Sequence, residues 1–490
     1  MHRASQILTA SCAILAGVLL GLPSCGSSDT SGFGPAPGED GGNPVDGSFI
    51  PRPGGGDGGK PCNTGLCLQR VTCPGGGDTT LTGTVYDPAG NVPLYNALVF
   101  VPNAKLETIP TGASCDRCDS GSNVYTGDPV SSAVTDAFGN FTLKNVPVGE
   151  KIPVVVQIGK WRREHVTVNV PACTETKLTK EQTHLPRNRG EGSIPHIAIA
   201  TGGADSMECL PIRMGLDPKE FSTRGQDGRI HLYQGKGGAT VKFDSGTEFA
   251  SANELWSSTD TLKAYDMVIL SCEGGRFADD KPPATRNALY AYESMGGRVF
   301  ASHWHEIWFR LGPAPVPSIG SWNVNEIPEN DRDTQLAVVN DSFPKGKAFA
   351  QWLKNVGATP QDKMLPIQQA RDIMSAVTDP RAQDWATIPQ YVGRHENGDK
   401  FNANPPKAVQ FVSYNAPLDK PEAEACGRAV YTNLHVSAGA RADHLGKTFP
   451  TQECVSGPLS EQEKALEFML FDLSSCISKD TEPPPPPVIH

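Results

Sequence analysis

The chain has 490 residues, with 43 Lys and Arg against 54 Asp and Glu and a formal net charge of −11. Acidity of this size excludes nucleic acid as a natural partner, because a phosphate backbone needs a basic face. The length is enough for two or three domains with cores of their own.

Residues 1–25, "MHRASQILTASCAILAGVLLGLPSC", have a basic start at Arg3, an apolar run from Ile7 to Leu22 and small residues before Cys25. This is the layout of a secretory signal, and the run is too short for a membrane span. "LPSC" resembles a bacterial lipobox, which implies that Cys25 becomes the lipidated first residue and that the membrane is a partner through that anchor. Gly26 after the cysteine points by the same resemblance to the outer membrane. A plain cleaved signal or a short anchor helix is the alternative reading.

From Gly26 the chain is Gly, Pro, Ser and Asp with almost nothing apolar, so it cannot bury enough surface to offset the entropy of ordering. Residues 26–78 are expected to form a tether. Residues 479–490, ending in "TEPPPPPVIH", read as an extended proline-rich tail.

Without Cys12 and Cys25, eleven of the 13 cysteines remain. In an exported chain they are read first as disulfides, and an odd number leaves at least one free. "CDRC", Cys115 to Cys118, lies in a Gly/Ser/Asp-rich insertion and not at a helix start, so disulfides are expected there before a redox pair or half a zinc site. Cys272, at the end of a buried strand, is the expected free thiol.

Residues 79–172 show strand grammar. "TLTGTVYDPAGNVPLYNALVFVP" pairs two apolar runs across a turn, and "AVTDAFGNFTL" repeats the pattern. Short strands without helical periodicity predict a small β-sandwich. "GTVYDPAG", "AVTDAFGNFTL" and "NVPVG" resemble the carboxypeptidase regulatory-like family, a prealbumin-like sandwich whose role is accessory. Trp161, Arg162 and Arg163 are read as a solvated strand end before a binding patch.

A different grammar occupies residues 190–478. "HIAIATGG", "YDMVILSCEGG" and "GGRVFASHW" are buried-type strands, and "ATRNALYAYES" is a helix between the last two. Strand and helix in alternation predict an α/β, doubly wound parallel sheet of the flavodoxin-like kind, with ligands beyond the carboxyl ends of the strands. Those ends carry Gly202, Cys272, Glu273, Gly274 and the cluster His303, Trp304, His305, Glu306.

A strand turning sharply into a helix presents one side chain at the top of the sheet, the geometry of a nucleophile elbow. His303 occupies that position, so glutaminase chemistry, which needs a thiolate, is not expected. "YDMVILSCEGG", "YESMGGRVFASHW" and the segment from Gly427 to Gly439, which ends in "YTNLHVSAG", resemble the trehalose-utilisation (ThuA-like) family, which has an amidotransferase-like fold with histidine at the elbow. The resemblance implies a link to sugar metabolism and brings His435 toward His303, and Leu434 stands where that family usually has glycine.

The catalytic candidates are therefore His303, His435 and Glu273, and the ligand-binding candidates are Trp304, Gly202 and Gly274. Trp308 and Phe309 read as core, and Asp266 as a turn residue. No cofactor is expected, and no metal, since a pair at His303 and His305 would need irregular backbone. "LSEQEKALEFMLFDLSSC" predicts a terminal helix with a capping box at Ser460 and Glu463 and an apolar face through Leu466, Met469, Leu470 and Leu473, closing one face of the sheet. Cys426, Cys454 and Cys476 would staple that end of the domain.

Two functions are compatible with these residues. One is a cell-envelope lipoprotein whose degenerate amidotransferase-like domain is an interaction or structural module. The other is saccharide binding or processing at His303 and His435, with His303 as general base or hydrogen-bond donor. The partner would be an envelope component in the first case and a carbohydrate in the second.

Overall fold

The computed structural model describes residues 62–118, 127–237, 240–323, 333–395, 397, 399–401, 404–436, 446–451, 454 and 457–484. The signal, Cys25, the tether up to residue 61, the loop residues Asp443 and His444, and the end of the tail lie outside the described residues. No described helix is long and apolar enough to cross a membrane.

Residues 62–78, read above as the end of the tether, contain two short 3-10 turns and two disulfides, Cys62–Cys67 and Cys73–Cys173. The second bond ties this segment to the far end of a β-rich part. There, a five-stranded antiparallel sheet runs in the order Pro129–Val134, Leu98–Pro102, Gly149–Ile158, Trp161–Val170, Gly192–Ser193. A three-stranded sheet holds Asn140–Leu143, Thr80–Thr84 and Glu175–Lys177. Alternation sets the inward face: Val166, Val168 and Val170 are buried, whereas His165, Thr167 and Asn169 between them are exposed. The turn in "DAFGN" closes because the Asp136 carboxylate accepts the backbone N–H groups of Phe138 and Asn140, with Gly139 at φ +76°.

The second part is a mixed sheet. Five parallel strands lie side by side in the order Ile230–Gln234, Ile197–Thr201, Met267–Leu270, Arg298–Ser302, Gly427–Thr432. Numbered along the chain, that is second, first, third, fourth, fifth. The strands Ala408–Ala416, Ala382–Ile388, Gln335–Val339 and Met364–Ile367 then continue the sheet in antiparallel fashion. The expectation of a parallel sheet thus covers only one half. Antiparallel pairing needs only short connections, and this half is built from the stretch between Arg310 and Lys407 that has no clear sequence pattern, followed by the next strand.

One hydrophobic core runs through both parts. Leu81, Val99 and Val154 from the β-rich part belong to the same buried cluster as Ile199, Phe300 and Leu466. The terminal helix, Glu461–Ser474, carries the predicted capping box at Ser460 and Glu463. It is buried nearly all round and does not simply cover one face of a sheet. The cause is its position between the two parts: Phe468 stacks on Tyr95 and Phe471 meets Trp161, at 5.8 and 5.9 Å between ring centroids. Trp161 is therefore core, and Arg162 beside it is buried and paired with Glu164. Neither forms a solvated strand end.

Two disulfides reinforce the same junction. Cys115 bonds Cys426 and Cys118 bonds Cys476, across 311 and 358 residues. Cys209 bonds Cys454. The two "CDRC" thiols thus go to separate distant partners, and Cys426, Cys454 and Cys476 are stapled to other elements and not to one another. Cys272 is the free cysteine among the described residues.

A buried carboxyl gives the fold a pH response. Glu293, at the end of the helix Pro283–Ser294, is pushed up to about 8 by burial, although the Tyr414 hydroxyl donates to it at 2.7 Å. A folded-state value above the unfolded value of about 4.3 means that the folded chain holds a proton the unfolded chain has released. Its stabilisation is complete below about pH 4 and is lost as pH rises toward 8. Between about pH 5 and 7 this group should remove about 1.4 kcal/mol per pH unit, and Glu293→Gln should flatten that part of the curve. Urea unfolding at several pH values measures it, and an unchanged slope in the variant would show that Glu293 is ionised in the fold.

Candidate functional site

The site gathers at the carboxyl ends of the parallel strands, where the strand order reverses between Ile197–Thr201 and Met267–Leu270. The strand Arg298–Ser302 ends in a 3-10 turn, His303–Glu306, that leads into the helical turn Ile307–Arg310. His303 has φ +46°, a left-handed conformation that costs a non-glycine residue about 1 kcal/mol. The carbonyl of His303 accepts the Tyr431 hydroxyl at 3.0 Å, which helps to hold the turn.

Three side chains from three strand ends converge there. His303 Nδ1 lies 3.2 Å from Cys272 Sγ and 3.0 Å from His435 Nε2, with the two imidazoles nearly perpendicular. All three residues are buried. On the other side of His435, Nδ1 lies 3.1 Å from the Gln369 side-chain oxygen, and the His435 carbonyl accepts from Gln462 of the terminal helix. Since that amide oxygen only accepts, the His435 proton sits on Nδ1 and the Nε2 lone pair faces His303. Burial pushes the Cys272 thiol up to about 12, against a smaller downward pull from nearby backbone N–H groups. Burial therefore works against a nucleophilic thiolate at this position.

Beneath this group, Ser302 Oγ donates to Asp205 at 2.8 Å and accepts the Cys272 backbone N–H at 3.0 Å. Asp205 also accepts from the Val436 backbone N–H at 2.8 Å. Burial raises the Asp205 carboxyl to about 7, and these donors offset only part of that rise. Asp205 thus links three strand ends, and sequence reasoning missed it. The signal that could have found it is its position four residues past Thr201, on the loop where such folds bind ligands. Gln369 has no comparable signal, because it comes from the antiparallel half.

The other candidates take different places. Glu273 accepts Lys281 Nζ at 2.6 Å and the Lys236 backbone N–H at 2.7 Å, and both members of the ion pair are fully buried. A carboxylate held in this way is an anchor, with both oxygens already engaged. Gly202 packs directly on the backbone of Cys272, where a Cβ would overlap the Cys272 carbonyl, so it serves strand packing. Gly274 has φ +81° and allows the turn after Glu273. Trp304 is half-buried, with the Arg276 guanidinium 4.2 Å from its ring centroid.

Neighbouring residues are structural. His305 Nε2 donates to the Ser271 carbonyl at 2.8 Å while Nδ1 accepts the Trp308 indole N–H at 2.8 Å. Burial and the Lys281 charge hold this imidazole well below its ordinary value. Glu306 is buried between Arg276 and Arg310. Trp308, Phe309 and Leu434 are core, and Asp266 pairs with Lys160 and accepts the His196 backbone N–H.

No family model matches the chain, and no curated protein matches it. Among solved structures it is similar to a ThuA-like protein from Bacteroides uniformis, at 12% identity over 59% of this chain and 93% of that one, with a TM-score of 0.29. It is also similar to a type II cohesin–X-dockerin complex from Acetivibrio cellulolyticus, at 18% identity over 26% of this chain and 78% of that one, with a TM-score of 0.14. Likenesses this distant assign neither a family nor a function.

Proposed function

We propose that the chain is an exported, lipid-anchored envelope protein, tethered through Cys25 at the outer membrane. In this reading a carboxypeptidase regulatory-like β-sandwich and a ThuA-like, flavodoxin-like α/β unit together form a rigid, non-hydrolytic interaction module. The observation that carries the reading is the state of the strand-end residues. The Cys272 thiol is fully buried in surroundings that disfavour its thiolate, the elbow position is histidine, and the acid expected from the sequence, Glu273, is locked in a buried ion pair. Hydrolytic chemistry needs an activated nucleophile or a poised acid and base, and neither the buried thiol nor the paired Glu273 supplies one. Five disulfides among the described residues and a core common to both parts support export and rigidity.

The second reading, a saccharide site of the ThuA-like type, is favoured by one observation: the His303 and His435 imidazoles meet at 3.0 Å. A thermal-shift panel of mono- and disaccharides on the full mature chain separates the two. The module reading expects no saccharide to raise the melting temperature of the wild type. A stabilising sugar whose effect disappears in His435→Ala would overturn it in favour of the second. Mass spectrometry of the mature N-terminus tests the anchor: an acylated Cys25 supports it, and an unmodified N-terminus at another residue removes it.

A further inference from the structure

We infer that Cys272, His303 and His435 form a binding site for a divalent transition metal that takes thiolate and imidazole together, zinc foremost. The three donor atoms all lie within 4.8 Å of one another. In a tetrahedral zinc centre, bonds of about 2.3 Å to sulfur and about 2.0 Å to nitrogen place neighbouring donors about 3.6 Å (S to N) and about 3.3 Å (N to N) apart. Two of the three edges, 3.2 Å from Cys272 to His303 and 3.0 Å from His303 to His435, are within about 0.4 Å of those values, and the third, from Cys272 to His435, does not exceed 4.8 Å. A small outward movement of the rings would admit the ion.

The protons point the same way. His435 keeps its hydrogen on Nδ1 against Gln369, so Nε2 is already the ligand form, with an outer partner fixing the tautomer. Without a cation, His303 Nδ1 is asked to serve both the thiol and His435 Nε2. A single ring nitrogen has one proton or one lone pair to offer, so only one of those contacts can be a straight hydrogen bond. A cation at the common point satisfies all three donors at once. Binding would displace the Cys272 thiol proton and move the His303 hydrogen to Nε2, so that thiolate charge replaces a neutral buried thiol. The ligands come from three separate strand ends, which explains why no metal-binding spacing exists in the sequence and why none was expected from it.

Such a site would cross-link the ends of the strands Met267–Leu270, Arg298–Ser302 and Gly427–Thr432. This inference is independent of whether the chain processes a saccharide. The test uses the full mature chain, stripped with chelator and then dialysed against zinc or cobalt(II). Elemental analysis should find about one equivalent of metal, and cobalt should produce a thiolate-to-metal charge-transfer absorption. Cys272→Ser should abolish that absorption and reduce bound zinc at least tenfold. His165→Ala, at an exposed strand position in the β-rich part, should change neither. If a ligand variant does not fold, as judged by near-ultraviolet circular dichroism, the wild-type cobalt spectrum decides by itself. Absence of metal and of the charge-transfer band in the wild type would overturn the inference, as would equal zinc in folded Cys272→Ser.

Discussion

Replacing Arg428 with methionine should lower the free energy of unfolding by about 3–5 kcal/mol, a large share of the stability of an ordinary domain. Arg428 lies at the start of the strand Gly427–Thr432, at the opposite end of the parallel strands from the cluster. It is fully buried and donates to Asp472 at 2.8 Å and to Asp480 at 2.8 Å. Lys345 meets the same two carboxylates at 3.1 and 3.0 Å. The network therefore joins a central strand, the helix Pro344–Asn355, the terminal helix and the residues after it. Methionine keeps much of the volume but leaves two buried carboxylates facing one lysine, and stranding a charge costs far more than the pair contributes over an apolar replacement.

The pH behaviour of the same network has a definite sign. Burial alone would raise the Asp480 carboxyl, but the charges of Arg428 and Lys345 outweigh it and hold the group at about 2. A folded-state value below the unfolded value means that this stabilisation is present above about pH 4 and is lost as pH falls toward 2. Urea unfolding at pH 7 should show the full penalty of Arg428→Met. Combining it with Asp472→Asn should recover part of the loss, because one stranded charge is removed. A loss below about 1 kcal/mol would mean that water reaches the carboxylates.

Gly202→Ala should destabilise the fold by about 3 kcal/mol or more, at the upper end of what overpacking costs. The added Cβ would overlap the carbonyl of Cys272, which also accepts the Ala204 backbone N–H at 3.0 Å. Two backbones cannot move aside as a flexible side chain can, so the strands Ile197–Thr201 and Met267–Leu270 would have to part at their carboxyl ends. The melting temperature of Gly202→Ala with and without zinc checks this. A variant of wild-type stability that had lost only ligand affinity would restore Gly202 to the role of a ligand-contact residue.

Short-range patterning is enough to read much of the chain. The hairpin at "DAFGN", the capping box at Ser460 and Glu463, the strands Ile197–Thr201, Met267–Leu270 and Arg298–Ser302, and the sharp turn at His303 are all encoded within windows of a few residues. In such windows, side-chain hydrogen bonds and hydrophobic alternation act directly on the local backbone. Cys272 as the free thiol is also legible, from an odd count of cysteines and one position at a buried strand end. The antiparallel half is not, because its strands take their register from partners far along the chain.

What the sequence determined by itself is the identity of the elements: a β-rich part, an alternating strand and helix part, a histidine at an elbow and an acidic, cysteine-rich chain. What only the tertiary structure decided is which of these groups meet. Glu273 looked like a catalytic acid until Lys281 neutralised it, Trp161 looked exposed until Phe471 covered it, and Cys272, His303 and His435 had no common spacing until parallel strands brought their ends together. The reason is physical. Local propensities act over a few residues, whereas burial, ion pairing and shared donor geometry depend on distances in space that the packing of the core sets.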